Sequence, residues 1–110
     1  MSYQHKELAA GRWKDLSLLE QMANIGSEVE RALNWREKKN ADYAQKALER
    51  AIELIGLTLD NAGSFARLKE IARMKEAIVD YFYGTNQFES TESSWRSYFS
   101  HFTYAARRNH

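Results

Sequence analysis

Residues 17–38 read SLLEQMANIGSEVERALNWREK, and this stretch decides the fold class. Ser17-x-x-Glu20 has the form of a capping box, in which a hydroxyl and a carboxylate each accept an N–H that a helix start leaves free. Behind it, Leu18, Met22, Ile25, Val29 and Ala32 recur at 4-3-4-3 spacing, which keeps them on one side of a helix. A first helix over about 18–38 follows.

The same rhythm extends along the chain. Ala44, Leu48, Ala51, Ile55 and Thr58 mark a second helix at 41–60, with Lys46, Glu49, Arg50 and Glu53 gathered on its opposite face. Asp60 to Ser64 (DNAGS) is turn chemistry, and Ser64 is placed to cap a third helix at 64–83 that carries Phe65, Leu68, Ala72, Val79 and Phe82. Gly84 ends it. After a mostly polar connection from Thr85 to Ser90, Thr91 or a neighbouring serine caps a fourth helix at 91–107. That helix is lined by Trp95, Tyr98, Phe99, Phe102, Ala105 and Ala106. No strand pattern or internal repeat is present. Short connections force neighbouring helices to run antiparallel, so the pattern predicts an all-α, up-down-up-down four-helix bundle. It forms one domain over residues 1–110, with residues 1–15 as a short N-terminal arm. Gly26 and Gly56 interrupt helices at a cost of about 1 kcal/mol each relative to alanine, and close helix approach is the expected reason.

Composition narrows the functional classes. The 110 residues are 44% hydrophobic, 13% aromatic and 28% charged, which describes a globular chain with one core. A net charge of +1 supplies no global field to attract nucleic acid or anionic lipid. The absence of cysteine removes thiolate metal sites, cysteine nucleophiles and disulfides, and fits a reducing, cytoplasmic setting. MSYQHKELAAGRWK at the start lacks a signal core, and no apolar run approaches the roughly 20 residues that span a bilayer, so no membrane partner is expected. The three histidines are scattered, no Glu-x-x-His pair faces a bundle interior, and no glycine-rich phosphate loop follows a strand. No metal or cofactor is therefore expected.

Helix 3 carries more apolar surface than one packed face uses. Met74, Ile78 and Tyr81 extend its arc, and with Tyr104 of helix 4 they are the candidate interface of a homo-oligomer, a dimer first. The competing use of that strip is as a seat for the N-terminal arm, with Tyr3, Leu8 and Trp13. Lys75 falls within the same arc and must snorkel or pair, and Glu28 on helix 1 is at a suitable height to be its partner. Asn24, Ser27 and Glu28 form a polar group beside Gly26 that either lines a site or hydrogen-bonds between helices. Lys6, Arg12, Lys14, Arg107 and Arg108 gather at one end of such a bundle, and Arg36, Lys38 and Lys39 at the other.

Two resemblances accompany these readings. Gly11 to Arg31, GRWKDLSLLEQMANIGSEVER, with Ala105-Ala106-Arg107, is similar to a small set of uncharacterised prokaryotic helical proteins of like length. That set has no established activity, so it implies none here. In ESSWRSYFSHFTYAARR, residues 92–108, Arg96 and His101 have the arginine-to-histidine spacing of the HEPN superfamily of helical bundles, many of whose members are metal-independent ribonucleases. The resemblance implies a catalytic pair, in which His101 moves a proton during attack of a 2'-hydroxyl and Arg96 stabilises phosphate charge. RNA or a nucleotidyltransferase would then be the partner. The chain departs from that pattern at Ser97, where Asn or Asp commonly stands. Five residues also turn a helix by about 140°, which sets Arg96 and His101 on opposite flanks unless a second subunit joins them. Together these features predict a self-associating protein-interaction module without catalytic activity, with the ribonuclease as its alternative.

Overall fold

The computed structural model describes residues 11–108. A 3-10 turn at Trp13–Asp15 leads into four helices, α1 (Leu18–Glu37), α2 (Ala41–Asp60), α3 (Phe65–Tyr83) and α4 (Glu92–Arg108), and no strand occurs among the described residues. The fold is an all-α four-helix bundle. Its helix starts follow the capping chemistry of the sequence. Ser17 Oγ accepts from the Glu20 N–H at 3.1 Å and the Glu20 carboxylate accepts from the Ser17 N–H at 3.1 Å. Ser64 Oγ and Thr91 Oγ1 cap α3 and α4 at 3.2 and 2.9 Å.

Cross-helix pairs show the antiparallel order. Glu28 on α1 meets Arg50 on α2, Gln45 on α2 meets Tyr83 on α3, and Arg96 on α4 reaches Glu30 and Asn34 on α1. α1 is the central helix, packed along α2 and α4, whereas α3 lies chiefly against α2. Ile25, Val29 and Ala32 of α1 close on Ile55 of α2, Ile78 of α3 and Phe99 of α4 in one buried cluster. Burial of each large aliphatic chain stabilises the fold by roughly 1.5–3 kcal/mol.

Two expectations need correction. The N-terminal arm does not extend to residue 15, because Trp13 is a core residue, 1% exposed. Its indole Nε1–H donates to Thr58 Oγ1 at 2.9 Å, Thr58 in turn donates to the Leu54 carbonyl at 2.9 Å, and Gln21 Nε2 donates to the Trp13 carbonyl at 3.0 Å. A single 3-10 turn has no hydrophobic period, so its docking could not be read as a pattern. Tyr3, Lys6 and Leu8 lie outside the described residues.

The second correction is the rotation of α3. Phe65, Leu68 and Val79, read as its core face, are exposed, while Ile71, Met74 and Ile78 are buried. Around the helix these two sets are centred about 120° apart at 100° per residue. Apolar residues cover most of the circumference of α3, and only its fit against α2 selects the inward set.

Gly26 and Gly56 also separate. A Cβ on Gly26 would stand 2.7 Å from Phe99 Cβ, so this glycine lets α1 and α4 approach closely as expected. Around Gly56 nothing lies within 4 Å of the same position, so close packing does not account for it.

Candidate functional site

Arg96 is the most heavily bonded surface side chain of α4. Its guanidinium donates to Glu92 at 2.9 Å, to Asn34 at 3.0 Å, and to Glu30 across the α1–α4 seam. The hydrogen bond to Glu92 is the chief cause that raises the Arg96 pKa; burial acts the other way, and the nearby Glu30 and Glu37 charges add to the rise. All three partners come from α1 or from one turn earlier in α4. His101 lies five residues on and is exposed. Arg96 lines a shallow depression with Asn34, Glu37, Glu92, Ser97 and Ser100, and His101 is not part of that lining. Within one chain, then, Arg96 is brought to carboxylates of its own fold and not to His101.

The polar group near Gly26 divides in two. Asn24 is exposed and donates to the Glu20 carbonyl of its own helix at 2.8 Å, and Ser27 Oγ donates likewise to Ala23 at 3.2 Å. Asn24 is therefore not an inter-helix polar contact. Glu28 is one, since its buried carboxylate accepts from Arg31 at 3.0 Å and from Arg50 of α2 at 3.2 Å. The expected Glu28–Lys75 pair is absent. Both Glu28 oxygens are taken by arginines, and the rotation of α3 carries Lys75 outward, where it lines a depression with Leu59, Ala72, Glu76, Val79 and Asp80. At that position its ammonium keeps access to water and needs no buried partner.

Of the residues expected to form an interface, Ile78 is fully buried and Met74 nearly so, reaching only the wall of a cleft between α3 and α4. Tyr81 is half-buried with the Arg36 guanidinium 5.1 Å from its ring centroid, a cation–π contact between α1 and α3. Tyr104 is exposed, but it lines a depression with Gly26, Ser27 and Glu30 of α1 and so lies over the α1–α4 seam, away from α3.

What α3 does present is a different line. Phe65 (79% exposed), Leu68, Val79 and Tyr83 run along one side of the helix, with Phe88 exposed in the following connection. Sequence reasoning assigned Phe65, Leu68 and Val79 to the core, and the only signal against it was the excess of apolar residues on this helix. The connection is held in shape. The Asp80 carboxylate accepts from the N–H groups of Gln87 and Phe88 at 2.8 and 3.0 Å, and Asn86 and Ser90 exchange two hydrogen bonds at 2.9 Å.

Beside this line, α3 and α4 flank an open cleft of about 850 Å³ whose lining includes Met74, Ala77, Trp95 and Tyr98, with Lys69, Glu70, Arg73 and Glu76 also along it. Burial, with the Glu70 charge second, raises the pKa of the Tyr98 phenol. The Trp95 indole N–H is buried without an acceptor among the described residues. No group of three acidic or histidine side chains able to hold a metal occurs among the described residues, and none of their helices is long and apolar enough to cross a membrane. Compared with family models, with curated proteins and with solved structures, the chain matches none of them.

Proposed function

We propose that this chain is a self-associating interaction module, a homodimer first, that works through the outward face of α3. The observation that carries the reading is the line of Phe65, Leu68, Val79 and Tyr83, exposed along a helix packed chiefly on α2. Exposed apolar surface rimmed by charge marks association sites on small proteins, because removing it from water is worth roughly 25 cal/mol per Å². Arg96 supports the same reading from the other direction. Its donors are spent on Glu30, Asn34 and Glu92, which suits a clamp between α1 and α4 better than a phosphate ligand.

Sedimentation equilibrium from low micromolar to submillimolar concentration tests it. The expected result is twice the chain mass, lost in a Leu68→Glu/Val79→Glu variant whose helical circular dichroism is unchanged. A wild-type chain that stays monomeric across the range overturns the proposal.

A further inference from the structure

The geometry points to an antiparallel α3–α3 pairing about a two-fold axis near Arg73, in the register that sets Lys69 of each chain against the partner's Glu76. This rests on the self-association proposed above and adds orientation, register and the charges that select them.

Phe65, Leu68, Ala72, Lys75 and Val79 follow one another at 3-4-3-4 spacing, the spacing of a helix–helix seam, and Tyr83 continues it one turn on. The strip is about 27 Å long at 1.5 Å per residue. All of its members are exposed or half-buried within the single chain. A seam of this kind is completed by a second helix that carries the same pattern, and a second copy supplies one.

Charge selects the orientation. A two-fold axis perpendicular to two antiparallel helices brings the same flank of each together. On α3, the flank immediately after the seam residues carries Lys69, which follows Leu68, and Glu76, which follows Lys75. They are two turns apart, opposite in sign and exposed. Neither has an ion pair among the described residues, in contrast to Glu28, Glu30, Glu92 and Arg96 of the α1 seams. Antiparallel docking with Leu68 opposite the partner's Val79 therefore places Lys69 near the partner's Glu76, and symmetry repeats the contact. Arg73 lies farther round the helix, outside the seam.

Lys75 argues against the parallel alternative. Parallel two-fold packing puts the Lys75 side chains of both copies in one layer, ammonium beside ammonium. In the antiparallel register each Lys75 is opposite the partner's Ala72, whose small side chain leaves room for the lysine stem to reach water. A single polar seam residue is a known determinant of helix pairing, since only some registers accommodate it.

The test is a charge swap read by sedimentation equilibrium. Lys69→Glu or Glu76→Lys alone sets like charges across both contacts and is expected to raise the dimer Kd about tenfold or more. The combined Lys69→Glu/Glu76→Lys chain should return to within about threefold of wild type. Thermal unfolding of the variants at concentrations where all are monomeric controls for folding, and it should not change. The absence of cysteine allows an independent check. A Leu68→Cys chain mixed with a Val79→Cys chain should oxidise chiefly to the mixed disulfide, with little of either homodimer. If the wild type dimerises but single and double variants bind alike, or if the swap stays as weak as the single variants, this register is wrong while self-association stands. If the wild type is monomeric throughout, both fail.

Discussion

The two outer neighbours of the core, α4 and α3, are held in opposite ways. α4 meets α1 through a glycine whose missing Cβ lets Phe99 press onto the backbone, and Arg96 bolts the same seam by donating to Glu30 and Asn34, with Glu92 of its own helix as a third acceptor. α3 buries Ile71, Met74 and Ile78, yet leaves Phe65 and Leu68 in water and flanks an open cleft on its α4 side. One seam is closed by shape and charge within the chain. The other has apolar surface left over, with Lys69 and Glu76 beside it in no ion pair among the described residues. Helices of similar length can thus serve different ends, because what matters is which of their faces the rest of the chain covers.

The largest expected effect tests the closed side. Trp13→Ala should lose about 3–5 kcal/mol of stability in urea denaturation, since it removes a buried indole and leaves Thr58 Oγ1 without that donor. Phe65→Ser on the open side should leave monomer stability within about 0.5 kcal/mol, being a surface change. Comparable losses from both would erase the distinction.

Next come the two glycines, which should move in opposite directions. Gly26→Ala drives a methyl into Phe99 and is expected to cost about 1–3 kcal/mol. Gly56→Ala meets open space and should gain about 1 kcal/mol from helix propensity. A pair of melting curves decides it, and a neutral Gly26→Ala would mean that the α1–α4 approach is looser than the seam described above.

The smallest effect is at His101. His101→Ala should change stability by less than about 0.5 kcal/mol, as expected for an exposed side chain. Arg96→Ala should destabilise more, by about 1 kcal/mol for a partly exposed group that serves several acceptors. If the two variants instead shared the loss of a measured ribonuclease activity, Arg96 and His101 would have to meet across two subunits.

Much of this architecture was legible in the order of residues. Ser17 and Glu20, Ser64, and Thr91 announce helix starts through local hydrogen bonds, and the apolar period of α1 and α2 names faces that are indeed buried. These signals are short-range and need no knowledge of what packs where. The candidate surface was not legible in the same way. Met74 and Ile78 were expected outside and Phe65 and Leu68 inside, because a helix apolar over most of its circumference offers no period from which to choose a face. Glu28 was matched to Lys75 by height alone, whereas the fold turns it toward Arg50.

By itself, the sequence determined four helices, their limits and their antiparallel order, since capping and periodicity are properties of neighbouring residues. Tertiary structure alone decided that Trp13 belongs to the core, that Gly26 touches Phe99 while Gly56 touches nothing, and which side of α3 faces water. Each of those outcomes depends on the shape of a surface built from another part of the chain.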